Sequence, residues 1–156
     1  ALLREVKEWF DGTVILSGSI GDGFSVASSL ALGADFAYMG TRFIATKEAN
    51  ADQSYKEMLI ESAADDIVYS NLFTGVSGNY LKPSIKNAGL DPNNLPEADK
   101  SAMNFGSGGN TDAKAWKDIW GSGQGIGGIK DDPSVGDLVE RIIEEYNQAK
   151  KEFNDK

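Results

Sequence analysis

Residues 14–43 read VILSGSIGDGFSVASSLALGADFAYMGTRF, and this stretch decides the fold. Thr13 to Leu16 is a short β-branched and apolar run, bounded by Gly12 before it and Ser17-Gly18 after it, as in a buried parallel strand. Ser17 to Gly23 is a glycine-rich turn. From Phe24 onward Val26, Ala27, Leu30 and Ala31 share one helical face, and Gly33 stops the helix. Phe36 to Met39 is a second apolar run that ends in Gly40-Thr41. Strand, turn, helix and strand within about 30 residues make one βαβ unit, so the spacing predicts an α/β fold with parallel strands.

Outward from this unit the pattern loosens. Ala1 to Phe10 carries Leu2, Leu3, Val6, Trp9 and Phe10 at helical spacing, with Gly12 as a stop. It opens without an initiator Met, a capping residue or a signal-peptide layout. On the other side, Ser54 to Ala63 reads as a helix, Ile67 to Thr74 as extended, and Lys82 to Ala88 as a helix opened by Pro83 and closed by Gly89. Residues 89–112 read as loop, Ala113 to Trp120 as a short amphipathic helix, and Gly121 to Gly128 as a glycine-rich segment. Pro133 to Phe153 is the clearest helix, with Val135, Leu138, Ile142, Tyr146, Ala149 and Phe153 on one face.

Composition narrows the chemistry. The chain has 156 residues, no Cys and no His. That removes a disulfide scaffold, a thiolate zinc site, a cysteine nucleophile, the commonest metal ligand and the usual general base near neutral pH. No metal site is expected, since Asp65-Asp66 and Asp131-Asp132 lack ligand spacing and read as solvated turns or caps. A formal net charge of −9 with no basic stripe argues against nucleic acid as a partner. No apolar run is long enough for a membrane span, and nothing marks export, so a cytoplasmic location is the expectation.

Two features invite a ligand. Ser17-Gly18-Ser19-Ile20 and Met39-Gly40-Thr41-Arg42 each follow a strand, where backbone N–H groups and a helix N-terminus can face an anion without a basic side chain. Thr41 could add a hydroxyl donor and Arg42 a charge. Glycines after strands are also ordinary turn residues, so neither loop decides alone; two on successive parallel strands resemble the phosphate site of a (β/α)₈ barrel. The second feature, Gly121 to Gly128, contains a formal G-x-G-x-x-G match that follows a helix rather than a strand, which rejects a dinucleotide fingerprint. It is either a flexible surface loop or a tight loop folded over a ligand, in which Gln124 alone offers both donor and acceptor to a heterocycle edge. The indoles of Trp9, Trp116 and Trp120 fit amphipathic faces, Glu144-Glu145 lies on the polar side of the last helix, and no Ser, Lys or Asp has a visible partner that would make it a nucleophile.

Residues 14–49, with Ser-Gly-Ser-Ile, Asp-Gly, Ala-Leu-Gly-Ala-Asp and Met-Gly-Thr-Arg-Phe in order, resemble the nitronate monooxygenases, also called 2-nitropropane dioxygenases. Tyr55-Lys56-Glu57, Phe73-Thr74-Gly75, Asn79-Tyr80-Leu81 and Trp120 to Gly125 extend the likeness over nearly the whole chain. The resemblance implies the C-terminal part of a (β/α)₈ TIM barrel, contributing the last two barrel strands plus an inserted helical and loop subdomain. By that likeness residues 1–50 would form the barrel end with the FMN phosphate loops. Residues 51–112 would be the insertion, and 113–156 a covering loop and final helix. FMN is the implied cofactor, held by Gly18, Ser19, Tyr38, Met39, Gly40 and Thr41, with Gln124 in the covering loop. Ser19 stands where the family pattern has a second glycine, so a positive φ there would be strained.

The implied activity is oxidation of an alkyl nitronate, a small-molecule substrate, with O₂ as the other reactant. The alternatives are NAD(P)H-dependent reduction of a quinone or an enoyl thioester on the same scaffold, or a non-catalytic fragment without flavin. No catalytic residue is identifiable. A catalytic His used by some members, and the residues under the flavin ring, would lie in an upstream part of the same protein that carries the missing barrel strands. A complete barrel needs roughly 200 residues or more, so the length itself points to a part of a protein whose open sheet would expose apolar faces.

Overall fold

The computed structural model describes residues 2–97 and 117–156. Its first unit is the expected βαβ: β1 (Ile15–Ser17), α2 (Gly23–Ala31) and β2 (Phe36–Tyr38), preceded by α1 (Leu2–Lys7). The strands are parallel, with Ile15 opposite Phe36, Leu16 opposite Ala37 and Ser17 opposite Tyr38. Asp22 starts α2 by accepting from the backbone N–H of Ser25 at 2.7 Å, while the Ser25 hydroxyl accepts from the N–H of Asp22 at 3.1 Å. Gly33 at φ +103° ends the helix, as its position in the sequence predicts. Asp35 ties the ends of the unit together by accepting from the N–H of Val14 at 2.8 Å.

A second layer of structure follows. α3 (Thr41–Ile44) leaves β2 directly, and α4 (Gln53–Glu61) lies where the periodicity places a helix. Ile67–Ser70 forms β3, which pairs antiparallel with Gly78–Leu81, β4, a strand that the sequence pattern does not signal. α5 (Lys82–Asn87) begins with Pro83 in its first turn, and α6 (Val135–Asn154) is the long amphipathic helix expected there. Ser134 caps α6 by accepting from the N–H of Asp137 at 3.1 Å.

Two elements depart from expectation. Residues 113–116 of the expected short helix lie outside the described residues, as do 98–112 of the expected loop and Trp116. Residues 117–120 form a turn and bridge instead, and Tyr80 bridges to Gly121. Here the pairing edge of β4 outweighs a short amphipathic pattern. Trp9 follows α1 and is 74% exposed, so it is not a core residue of the chain described here. Trp120, by contrast, stacks on Tyr55 with ring centroids 5.0 Å apart.

Two small cores hold these layers. Leu72, Phe73, Tyr80, Ile85 and Ile119 form one, beneath the β3–β4 hairpin. Ala45, Leu59, Leu81, Ile126 and Ile129 form the other, which joins the start of the second layer to the glycine-rich segment. On the two-stranded parallel sheet one face stays open: Ile15, Phe36 and Tyr38 are 59%, 61% and 63% exposed. An apolar sheet face left open in this way marks a surface that needs cover.

Candidate functional site

The two glycine loops at the ends of β1 and β2 meet in one cleft. It is lined by Ser17 to Gly21 from the first loop, by Tyr38 and Gly40 to Arg42 from the second, and by Gly123, Gly125 and Ile129. Parallel pairing puts the ends of β1 and β2 side by side, so both loops open on the same edge. The cavity measures about 160 Å³, small beside the roughly 300–1,000 Å³ of a site enclosing a whole organic cofactor.

Of the residues singled out from sequence, Gly18, Ser19, Tyr38, Gly40 and Thr41 line this cleft. Met39 does not; it is half-buried behind the loop. Gln124 is exposed on the outer side of its turn, while its neighbours Gly123 and Gly125 reach the cleft. Ser19 has φ +56°, next to Gly18 at φ +103°, so two successive residues take the left-handed region. Ser19 therefore carries the backbone strain that its side chain implies at this position.

The glycines test whether the loops fit a ligand. Gly40 has φ −112°, which any residue adopts, and a Cβ there would meet nothing within 4 Å. Neither torsion nor packing within the chain calls for a glycine at position 40. A Cβ on Gly18 would likewise meet open space. Both residues line the cleft, and the torsion at Gly18 (φ +103°) itself favours glycine.

Two sequence expectations are corrected. The N-terminus of α2 is not a free anion site, because its donors are engaged. Gly21 and Asp22 donate to the Ser25 hydroxyl at 3.1 Å each, and Gly23 donates to the Glu145 carboxylate at 2.8 Å. Glu145 thus serves as the helix's anion, a role that its place on the polar side of α6 did not reveal. Arg42 lines the cleft, but its guanidinium is engaged elsewhere. Its guanidinium donates to the carbonyls of Ala45 and Asp131, at 3.1 and 3.2 Å, and to Asp131 Oδ1 at 2.9 Å.

Asp131 keeps 44% of its side chain exposed and is also the centre of an ion-pair network. It also receives both guanidinium nitrogens of Arg141, at 3.0 and 2.7 Å. The hydrogen bonds from Arg141 hold its carboxyl below the ordinary aspartate value of 3.8. This network brings the segment after the glycine-rich turn against α3. Arg42 lies 89 positions from Asp131, so no local spacing announces that pair.

The glycine-rich segment is anchored rather than loose. Gln124–Gly128 forms a 3₁₀ turn whose Ile126 is fully buried, with Ile129 just beyond it at 1% exposed. Gly123 donates to Thr41 Oγ1 at 2.9 Å. A Cβ on Gly125 would sit 3.0 Å from the Ser19 carbonyl oxygen, so any side chain there must press the two backbones apart. At the entrance the Tyr55 hydroxyl donates to the Gly121 carbonyl, and burial pushes the Tyr55 phenol up to about 12. Among the described residues no His, Cys, Asp and Glu cluster could hold a metal, and no helix is long and apolar enough to cross a membrane.

A cleft at the carboxyl ends of two adjacent parallel strands, lined by both strand-end glycine loops, is the place where open α/β sheets take their ligands. Residues 1–145 match the family model for nitronate monooxygenase, and the chain belongs to that family of flavin-dependent oxidoreductases. It is 35% identical over 79 residues to a nitronate monooxygenase of Paraburkholderia phytofirmans, covering 51% of this chain and 22% of that protein. It is 28% identical over 163 residues to one of Neurospora crassa, covering 96% of this chain and 42% of that protein.

Among solved structures, FabK from Thermotoga maritima aligns with a TM-score of 0.70 at 22% identity, over 99% of this chain and 50% of that one. A nitroalkane oxidase from Streptomyces ansochromogenes aligns at 0.68 and 24%, over 97% of this chain and 44% of that one. These likenesses concern the fold. The chain spans half or less of the length of each of these relatives.

Proposed function

We propose that this chain supplies the phosphate end of an FMN site in an oxidoreductase that oxidises alkyl nitronates with O₂. The observation that carries the reading is the meeting of the two strand-end loops in one cleft, lined by Gly18 and by Gly40, where neither torsion nor packing within the described residues calls for a glycine at position 40. An FMN phosphate fits there in kind: the donors are backbone N–H groups and the Thr41 hydroxyl, with the Arg42 guanidinium engaged in holding the loop. Gly18, Ser19, Gly40 and Thr41 bind the phosphate on this reading, Tyr38 and Met39 shape the strand end, and the 121–128 segment covers it. When bound, the flavin supplies a two-electron redox centre, and the protein's task is to bind, orient and shield it.

The reading extends to the rest of the molecule. The open face of Ile15, Phe36 and Tyr38 is the inner surface of a barrel sheet, covered by further strands of an upstream part of the same protein. Residues 1–50 are then the barrel end, 51–112 the insertion and 113–156 the cover and final helix, in a cytoplasmic enzyme. The family likeness supports the nitronate as substrate. Catalytic side chains are assigned on this reading to the upstream strands, since among the described residues the cleft lining holds no His, Cys, Asp or Glu.

Purification of the protein with a flavin absorption spectrum, or its recovery on FMN titration, tests the cofactor assignment. Anaerobic reduction of that flavin by an alkyl nitronate then tests the substrate. Reduction by NADH, with no response to the nitronate, would shift the assignment to quinone or enoyl-thioester reduction. Failure to take up FMN at all would leave a non-catalytic fragment.

A further inference from the structure

Thr41 Oγ1 stands between two things that it can serve at once. It lines the cleft and accepts the N–H of Gly123 at 2.9 Å. A threonine hydroxyl has one hydrogen to give and two lone pairs to accept with. Among the described residues the Thr41 hydroxyl makes no other hydrogen bond, so its hydrogen is available to the cleft.

The segment that carries Gly123 is held from behind by the core and in front by the two strand-end loops. Ile126 and Ile129 root it in the core, and Tyr55 fixes its entrance through Gly121. Its cleft-facing edge touches one strand-end loop at Gly123–Thr41 and the other at Gly125–Ser19. Gly125 makes a backbone-to-backbone contact that has no rotor. Gly123 meets a hydroxyl that turns, and a hydroxyl that donates to an anion becomes a stronger acceptor for its other partner.

We propose that Thr41 is a positioning residue that couples the occupied phosphate site to closure of the 121–128 segment. It donates to the ligand's phosphate while accepting from Gly123. The inference rests on the FMN reading above and adds to it the route by which the segment senses the ligand. A phosphate-bearing flavin tightens the segment, and the same ring without its phosphate does not.

Amide hydrogen exchange across residues 121–128 tests this, with FMN and riboflavin as the two probes. In the wild-type protein FMN slows exchange there roughly fivefold or more, and riboflavin leaves it unchanged. Thr41→Val keeps the shape and loses the hydroxyl. It raises the FMN Kd roughly tenfold and abolishes the FMN-dependent slowing. Thr41→Ser restores both.

FMN-dependent slowing that persists in Thr41→Val, or slowing by riboflavin equal to that by FMN, overturns the coupling and leaves the cofactor reading standing. Absence of FMN binding to the wild-type protein overturns both.

Discussion

The Arg42 guanidinium, 4% exposed, is held by Asp131 through Oδ1 at 2.9 Å and through the backbone carbonyl at 3.2 Å. A cation so placed depends on its partner, because removing one side of a buried pair leaves the other desolvated and unpaired. Asp131→Asn should cost about 2 kcal/mol, the scale of charged hydrogen bonds at a partly open site. Urea denaturation measures it. A change of a few tenths would mean that solvent compensates Arg42.

The same carboxylate sets an acid limit. Because its folded-state pKa lies below 3.8, the stability it contributes is present above the unfolded value and is lost as pH falls through the folded value. Melting temperature should therefore hold near pH 5 and fall below about pH 4, more shallowly in Asp131→Asn than in the wild type.

Gly23 should tolerate no side chain. A Cβ there would sit 2.3 Å from the carbonyl oxygen of Ile142 and from the nitrogen of Tyr146, both backbone atoms of α6. Gly23→Ala must push α2 away from α6 and should lose about 3 kcal/mol or more, read as a fall in melting temperature.

Gly40→Asp separates binding from folding. Its side chain enters open space, so circular dichroism and melting should stay close to wild type, while a negative charge in the cleft repels phosphate. Co-purified FMN should disappear. Unchanged FMN affinity would remove the second strand-end loop from the site.

Ser19→Gly should stabilise the chain by up to about 1 kcal/mol. It relieves a non-glycine residue at φ +56°, offset in part by the greater freedom of glycine in the unfolded state. FMN affinity should be retained, because the N–H that faces the cleft stays. Calorimetry together with FMN titration checks the pair of outcomes.

What could be read from sequence follows from range. The βαβ unit is written in adjacent residues: an Asp22 cap, a Gly33 stop and apolar runs at the right lengths. The candidate cleft was legible for the same reason, since Gly18 and Gly40 each follow their strand directly. β4 was not, because Gly78–Leu81 shows no alternation and becomes a strand only through pairing with β3. The directions of side chains were also hidden. Arg42 carries a charge in any reading, and only the position of Asp131, 89 residues away, shows where its guanidinium is engaged. Gln124 has the right groups for a heterocycle, but the buried Ile126 in the same turn settles which side of the segment faces inward.

The bond from Gly23 to Glu145 spans 122 positions and fixes the start of the helix that leaves the first glycine loop. On the ribosome, the loops of residues 17–21 and 38–42 emerge long before the residue that steadies them. The start of α2 is therefore steadied only after α6 has left the exit tunnel, well after both loops have emerged. A nascent chain arrested ahead of Glu145 would display both glycine loops and still lack the clasp that sets them.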